Sequence, residues 1–123
     1  MSIRRWGPPA IWAALILVLT SIPAPELAPI GAFSFPGADK LAHGGLYAVL
    51  GALVARAAHP MSARGTLGRL LIGIAAFAAA DEWHQRFIPG RSADVRDFAA
   101  DCAGAIAGFA AATYILRRKI SLS

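Results

Sequence analysis

Cysteine is almost missing from this 123-residue chain, since Cys102 is the single one. That excludes an intrachain disulfide framework and a cysteine-rich metal site. In an Ala-rich stretch, it reads as a small packing residue. Charge is scarce too, at 15% of residues, where a soluble domain carries about 25%. Acids are the scarcest charge, with seven against twelve Lys and Arg. The resulting net charge of +5 and pI near 10.4 do not indicate nucleic acid, because the bases flank apolar runs and form no single patch interleaved with aromatics. Internal repeats and low-complexity tails are absent as well.

Apolar sequence fills the remainder, at 57% hydrophobic residues and a mean hydropathy of +0.55. Its charges are partitioned. All seven acids lie within Glu26–Lys40 and Asp81–Asp101, with four bases among them, a balance of −3. The other eight bases give +8 and stand in three separate places: Arg4 and Arg5; Arg56, Arg64 and Arg69; Arg117, Arg118 and Lys119. A chain crossing a membrane four times puts every purely basic segment on one side. Cytoplasmic loops are enriched in Lys and Arg, so that side is expected to be the cytoplasm and the mixed side to face outward.

The expected fold is all-α, one domain of four transmembrane helices at about 6–22, 41–58, 67–87 and 95–116, with both termini cytoplasmic. Arg4 and Arg5 ahead of an apolar run also resemble a signal peptide, although Thr20-Ser21-Ile22-Pro23 offers no clear cleavage site. The 18 residues from Leu41 to Ala58 reach about 27 Å as a helix. The third run stays apolar only from Leu70 to Ala80, too short to span alone. Its helix is therefore expected to carry Asp81, Glu82, His84 and Gln85 toward the membrane before Pro89-Gly90 breaks it. Ser92 is the expected cap of the fourth helix, with Asp94 in its first turn. Gly104-x-x-x-Gly108 permits close helix packing, and a contact within the chain suits it better than a dimer.

Three polar groups sit at the outer ends. Asp39 and His43 share a helix face with Tyr47 one turn on; a carboxylate beside an imidazole orients it as a base or supports it as a metal ligand. Taken alone, a helix cap plus a hydrogen-bonded histidine is the simpler reading of these residues. Asp81, Glu82, His84 and Gln85 form the second group, without the His-Glu-x-x-His protease pattern. Asp94, Asp97 and Asp101 line one stripe of the fourth helix, with Asp101 about 6 Å deeper than Asp97. Carboxylates that close need a cation, a metal or a shared proton. Arg91 suits a phosphate or carboxylate through its planar fork. Candidate acid–base groups are thus Asp39, His43, Asp81, Glu82 and Asp97, and candidate ligand-binding groups are Lys40, Tyr47, Gln85 and Arg91. Candidate ligands for a divalent metal are Asp39, His43, Asp97 and Asp101.

The order Asp39-Lys40-x-x-His43-x-x-x-Tyr47, Asp81-Glu82-x-x-Gln85, Pro89-Gly90-Arg91, Asp97 and Gly104-x-x-x-Gly108 resembles the VanZ-like family of small bacterial membrane proteins. Asp101 departs from it, standing where that family usually carries asparagine. The resemblance implies a multi-pass protein of the bacterial cytoplasmic membrane, with an envelope role. The family's named member is linked to low-level resistance to the glycopeptide antibiotic teicoplanin. Three functions remain open on the residues. One is binding or remodelling of an amphiphilic envelope component, such as a lipid, lipid-linked precursor or lipoglycopeptide. Another is a metal-assisted hydrolase or transferase acting on phospho- or glycolipids, and the third a structural subunit whose polar cluster only locks helices together.

Overall fold

The structure is a computed structural model describing residues 3–22, 38–59, 64–90 and 94–122. In the later segments, side chains are described for 40–59, 67–90 and 94–119. Four helices and no strand are present among the described residues: α1 Ile3–Thr20, α2 Ala38–Ala58, α3 Arg64–Gln85 and α4 Val95–Leu122. Two of them, over Lys40–Ala58 and Val95–Lys119, are long and apolar enough to cross a membrane. Arg4, Arg5, Pro8 and Pro9 dilute the apolar run of α1, and α3 ends in Asp81-Glu82-Trp83-His84-Gln85.

Local chemistry explains the boundaries. Pro8 and Pro9 lie inside α1 instead of opening it. The two carbonyls they leave unbonded belong to Arg4 and Arg5, which are exposed and open to solvent. The last turn of α3 tightens, as Arg86, Phe87 and Ile88 donate to carbonyls three residues back. Pro89 then has no N–H to continue, and Gly90 takes φ 76°, a conformation that a Cβ would strain. The cap of α4 is Asp94: its Oδ1 accepts the Arg96 N–H at 2.8 Å, and its carbonyl accepts from Asp97 and Phe98. The carboxylate two residues before the helical N–H does the work expected of Ser92, which lies outside the described residues.

One helix pair dominates the packing, α2 with α4. Lys40 meets Asp97, Gly44 meets Gly104, and Ala48 meets Gly108. The partners rise together along both helices, so the two run parallel. Their backbones touch: a Cβ at Gly104 would overlap the Gly44 backbone, one at Gly108 the Ala48 backbone, and one at Gly51 the Ala105 carbonyl. This is the small-residue packing that apolar solvent demands, because helices there associate through close contact and not through expulsion of water. The Gly104-x-x-x-Gly108 seam is thus used within the chain. Ile16, Tyr47, Leu50, Val54, Ile74 and Phe109 fill the core around it. Across α2 lies α1, where the Trp12 indole N–H donates to the Leu46 carbonyl at 2.8 Å.

The two ends of the bundle differ in charge. At one end Arg4, Arg5, Arg56 and His59 line a single cavity with Pro8 and Leu116. The opposite end gathers the start of α2, the end of α3 and the start of α4, with every acid whose side chain is described.

Candidate functional site

At the acidic end, helical spacing collects polar groups from four helices. Lys40, His43 and Tyr47 follow one face of α2, and Asp94, Asp97 and Asp101 follow one face from the cap of α4. The last two turns of α3 contribute Asp81, Glu82 and Gln85, and α1 contributes Thr20. His43, Tyr47, Asp81, Glu82, Gln85, Asp97, Asp101 and Thr20 are all buried.

The contacts descend from the rim inward. Outermost, Lys40 bridges two α4 carboxylates, Asp94 at 3.3 Å and Asp97 in a shorter ion pair. Glu82 Oε1 accepts the backbone N–H of Asp94 at 2.7 Å, so the cap of α4 also fixes the end of α3. One turn deeper, His43 Nδ1 lies 2.8 Å from Asp101 Oδ1. Asp101 Oδ2 is buried and has no hydrogen-bond partner among the described residues. Innermost, Asp81 accepts from the Thr20 hydroxyl at 2.7 Å and from the Tyr47 hydroxyl at 3.0 Å. The Gln85 amide approaches Glu82 Oε2 only to 3.5 Å.

Electrostatics are unbalanced. Four carboxylates, Asp81, Glu82, Asp97 and Asp101, are buried, while the Lys40 ammonium and the His43 imidazole are the basic side chains paired with them among the described residues. Carboxylates withdrawn from water need protons, hydrogen bonds or cations. Asp94 at the rim is held below the usual carboxylate range by the Arg96 N–H it accepts and by Lys40. A lowered carboxyl stabilises the fold while ionised, and this contribution disappears as pH falls through its folded value. On acidification below about pH 4, protection of the Arg96 amide from hydrogen exchange, taken relative to its intrinsic rate at each pH, should therefore fall. Asp94→Asn should flatten that acid limb.

Of the residues expected from sequence, the structure brings His43, Glu82 and Asp101 together, with ligand atoms within 4.8 Å of one another. Asp81 and Tyr47 join each other, and Lys40 joins Asp97. Asp97 thus engages the ammonium of Lys40 and is not in the His43 group. The side chain of Asp39, and Arg91 altogether, lie outside the described residues. One contributor escaped the sequence reading. Thr20 tethers Asp81 from 61 residues away, and its only local signal is a hydroxyl at the end of an apolar run. Glu82, expected as an acid–base group, stands beside His43 and Asp101 through the helix register.

Outside the cluster, an open groove between α3 and α4 is lined by Ala79, Trp83, Val95 and Phe98, with Glu82 and Asp94 at its polar margin. Beside it Trp83 and Phe87 are exposed, stack edge to face at 5.2 Å, and carry the Arg86 guanidinium 5.8 Å from the Trp83 ring centre. Such an arrangement suits a membrane–water boundary, where one side of each ring is apolar and the other wet.

Comparison with curated proteins and with solved structures gave no match. A family model described as VanZ/LLP1 matches residues 9–117, a stretch holding every polar group of the cluster. By that match over most of its length, the chain belongs to the VanZ/LLP1 family.

Proposed function

We propose that this protein crosses the bacterial cytoplasmic membrane four times, with both termini inside, and binds or remodels an amphiphilic envelope component at its outward acidic end. The separation of charge supports the orientation, since the Arg4, Arg5 and Arg56 end matches the basic side of membrane proteins. One observation carries the functional reading: an apolar groove between two helices ends on Glu82 and Asp94, beside the buried His43–Asp101 pair. A lipid chain would lie against Val95 and Phe98 while its head group reaches the acids and the imidazole. Arg91 and Lys40 would hold an anionic head group. Phospholipids, lipid-linked precursors and lipoglycopeptides such as teicoplanin all combine these two parts. The carboxylate–imidazole pair also supports a catalytic version, hydrolysis or transfer on a phospho- or glycolipid, since Asp101 would orient His43 as a base.

Native mass spectrometry of the detergent-extracted protein tests the reading. Wild type should retain a discrete lipid species. Ala79→Trp, which fills the groove from an exposed position, should lower its occupancy at least tenfold, and Arg91→Ala should do so selectively for anionic lipids. A bare wild-type polypeptide, or equal occupancy in all three samples, would refute the reading.

A further inference from the structure

We infer that His43, Glu82 and Asp101 form a binding site for one divalent first-row metal ion, zinc or manganese, at the base of the acidic pocket. The inference uses the pocket proposed above but does not require its lipid. Three observations converge. The ligand atoms come from three different helices and lie within 4.8 Å of one another. Around an ion with bonds of 2.0–2.2 Å they would stand about 3.4 Å apart, so a small inward adjustment of side chains closes the site. Second, Asp101 is fully buried and its Oδ2 has no hydrogen-bond partner among the described residues. An orphaned carboxylate oxygen in the interior is costly unless a cation or proton occupies the space beside it. Third, the four buried carboxylates exceed the one ammonium paired with them among the described residues, and a doubly charged ion bound by a neutral His43 offsets most of that surplus.

The donor set selects the ion. One imidazole and two carboxylates suit zinc, manganese or iron(II) better than calcium or magnesium, which favour oxygen alone. Ligand orientation is already set: the Asp94 N–H holds Glu82 Oε1 at 2.7 Å, leaving Oε2 with only the distant Gln85 amide. Supporting hydrogen bonds of this kind fix a ligand's direction before the ion arrives. Three protein ligands leave at least one coordination position open, the pattern of a site that exchanges water for substrate. That position would face the head group of any amphiphile in the α3–α4 groove.

The test is titration of the detergent-purified, chelator-stripped protein with Zn2+ or Mn2+, reading metal per chain by elemental analysis, the Mn2+ paramagnetic resonance spectrum and the shift in thermal midpoint. Wild type should bind one ion per chain, with a midpoint that rises with metal concentration. His43→Asn, Glu82→Gln and Asp101→Asn should each weaken binding at least 100-fold and abolish the midpoint rise. Asp97→Asn, outside the ligand set, should keep it. Because Asp101→Asn leaves a neutral group of the same shape, a folded but metal-free variant is the expected outcome, checked by its circular dichroism. Failure of wild type to bind stoichiometrically, or equal binding by wild type and Asp101→Asn, overturns the proposal. Lipid retained without metal would overturn the metal site and leave the pocket reading standing; metal without lipid would do the reverse.

Discussion

Gly108→Leu should prevent recovery of folded protein, while Gly73→Ala in the preceding helix should stabilise it by about 1 kcal/mol. Both positions are helical glycines, so backbone propensity alone predicts that gain at each. The surroundings of Gly108 reverse it. A Cβ at Gly108 would overlap the Ala48 backbone, whereas one at Gly73 meets nothing within 4 Å. Backbone cannot move aside as a flexible side chain can, so even Gly108→Ala must push α2 and α4 apart. Overpacking of this kind costs roughly 1–3 kcal/mol for small additions, and leucine exceeds what separation of two helices can absorb. Denaturant titration of the purified protein, followed by helix content, measures both. Equal midpoints for Gly108→Ala and Gly73→Ala would refute the close contact.

Asp81→Ala should destabilise the bundle by roughly 1–3 kcal/mol, and most of that loss should vanish when Tyr47 is already phenylalanine. Tyr47 is fully buried and its hydroxyl donates to Asp81 Oδ2 at 3.0 Å. With the acceptor gone, that donor is stranded where no water reaches it. Thr20 suffers less, because its one hydroxyl proton can turn to the Ile16 carbonyl at 2.9 Å instead. The double-mutant cycle isolates the Tyr47–Asp81 coupling. Simple additivity of Asp81→Ala and Tyr47→Phe would show that the two side chains do not share a bond.

Helices were legible because apolar runs, prolines and glycines punctuate this chain strongly. Their ends were less so, for a definite reason. Arg117, Arg118 and Lys119 end an apolar stretch without ending α4, since Lys and Arg are good helix formers and favour a helix C-terminus. Pro8 and Pro9 suit a helix's first turn, yet α1 begins at Ile3. The stripe of Asp94, Asp97 and Asp101 followed from spacing alone. The pairing of His43 with Asp101, 58 residues apart, could not, because it depends on the register in which Gly44 meets Gly104. Asp97 illustrates the same point. Spacing made it a metal candidate, but the register delivers it to Lys40.

The parallel pairing of α2 with α4 has a consequence for how the protein is made. During synthesis α2 is completed long before α4, and α3 offers α2 little surface of its own. His43 must therefore wait for Asp101, and the face of Gly44, Ala48 and Gly51 must wait for its match, until the last of the four helices arrives. The Lys40–Asp97 and His43–Asp101 pairs come into being in one late event, when α4 packs along α2, whereas Thr20, Tyr47 and Asp81 need only the three earlier helices. A chain ending before α4 would leave the face of Gly44, Ala48 and Gly51 uncovered.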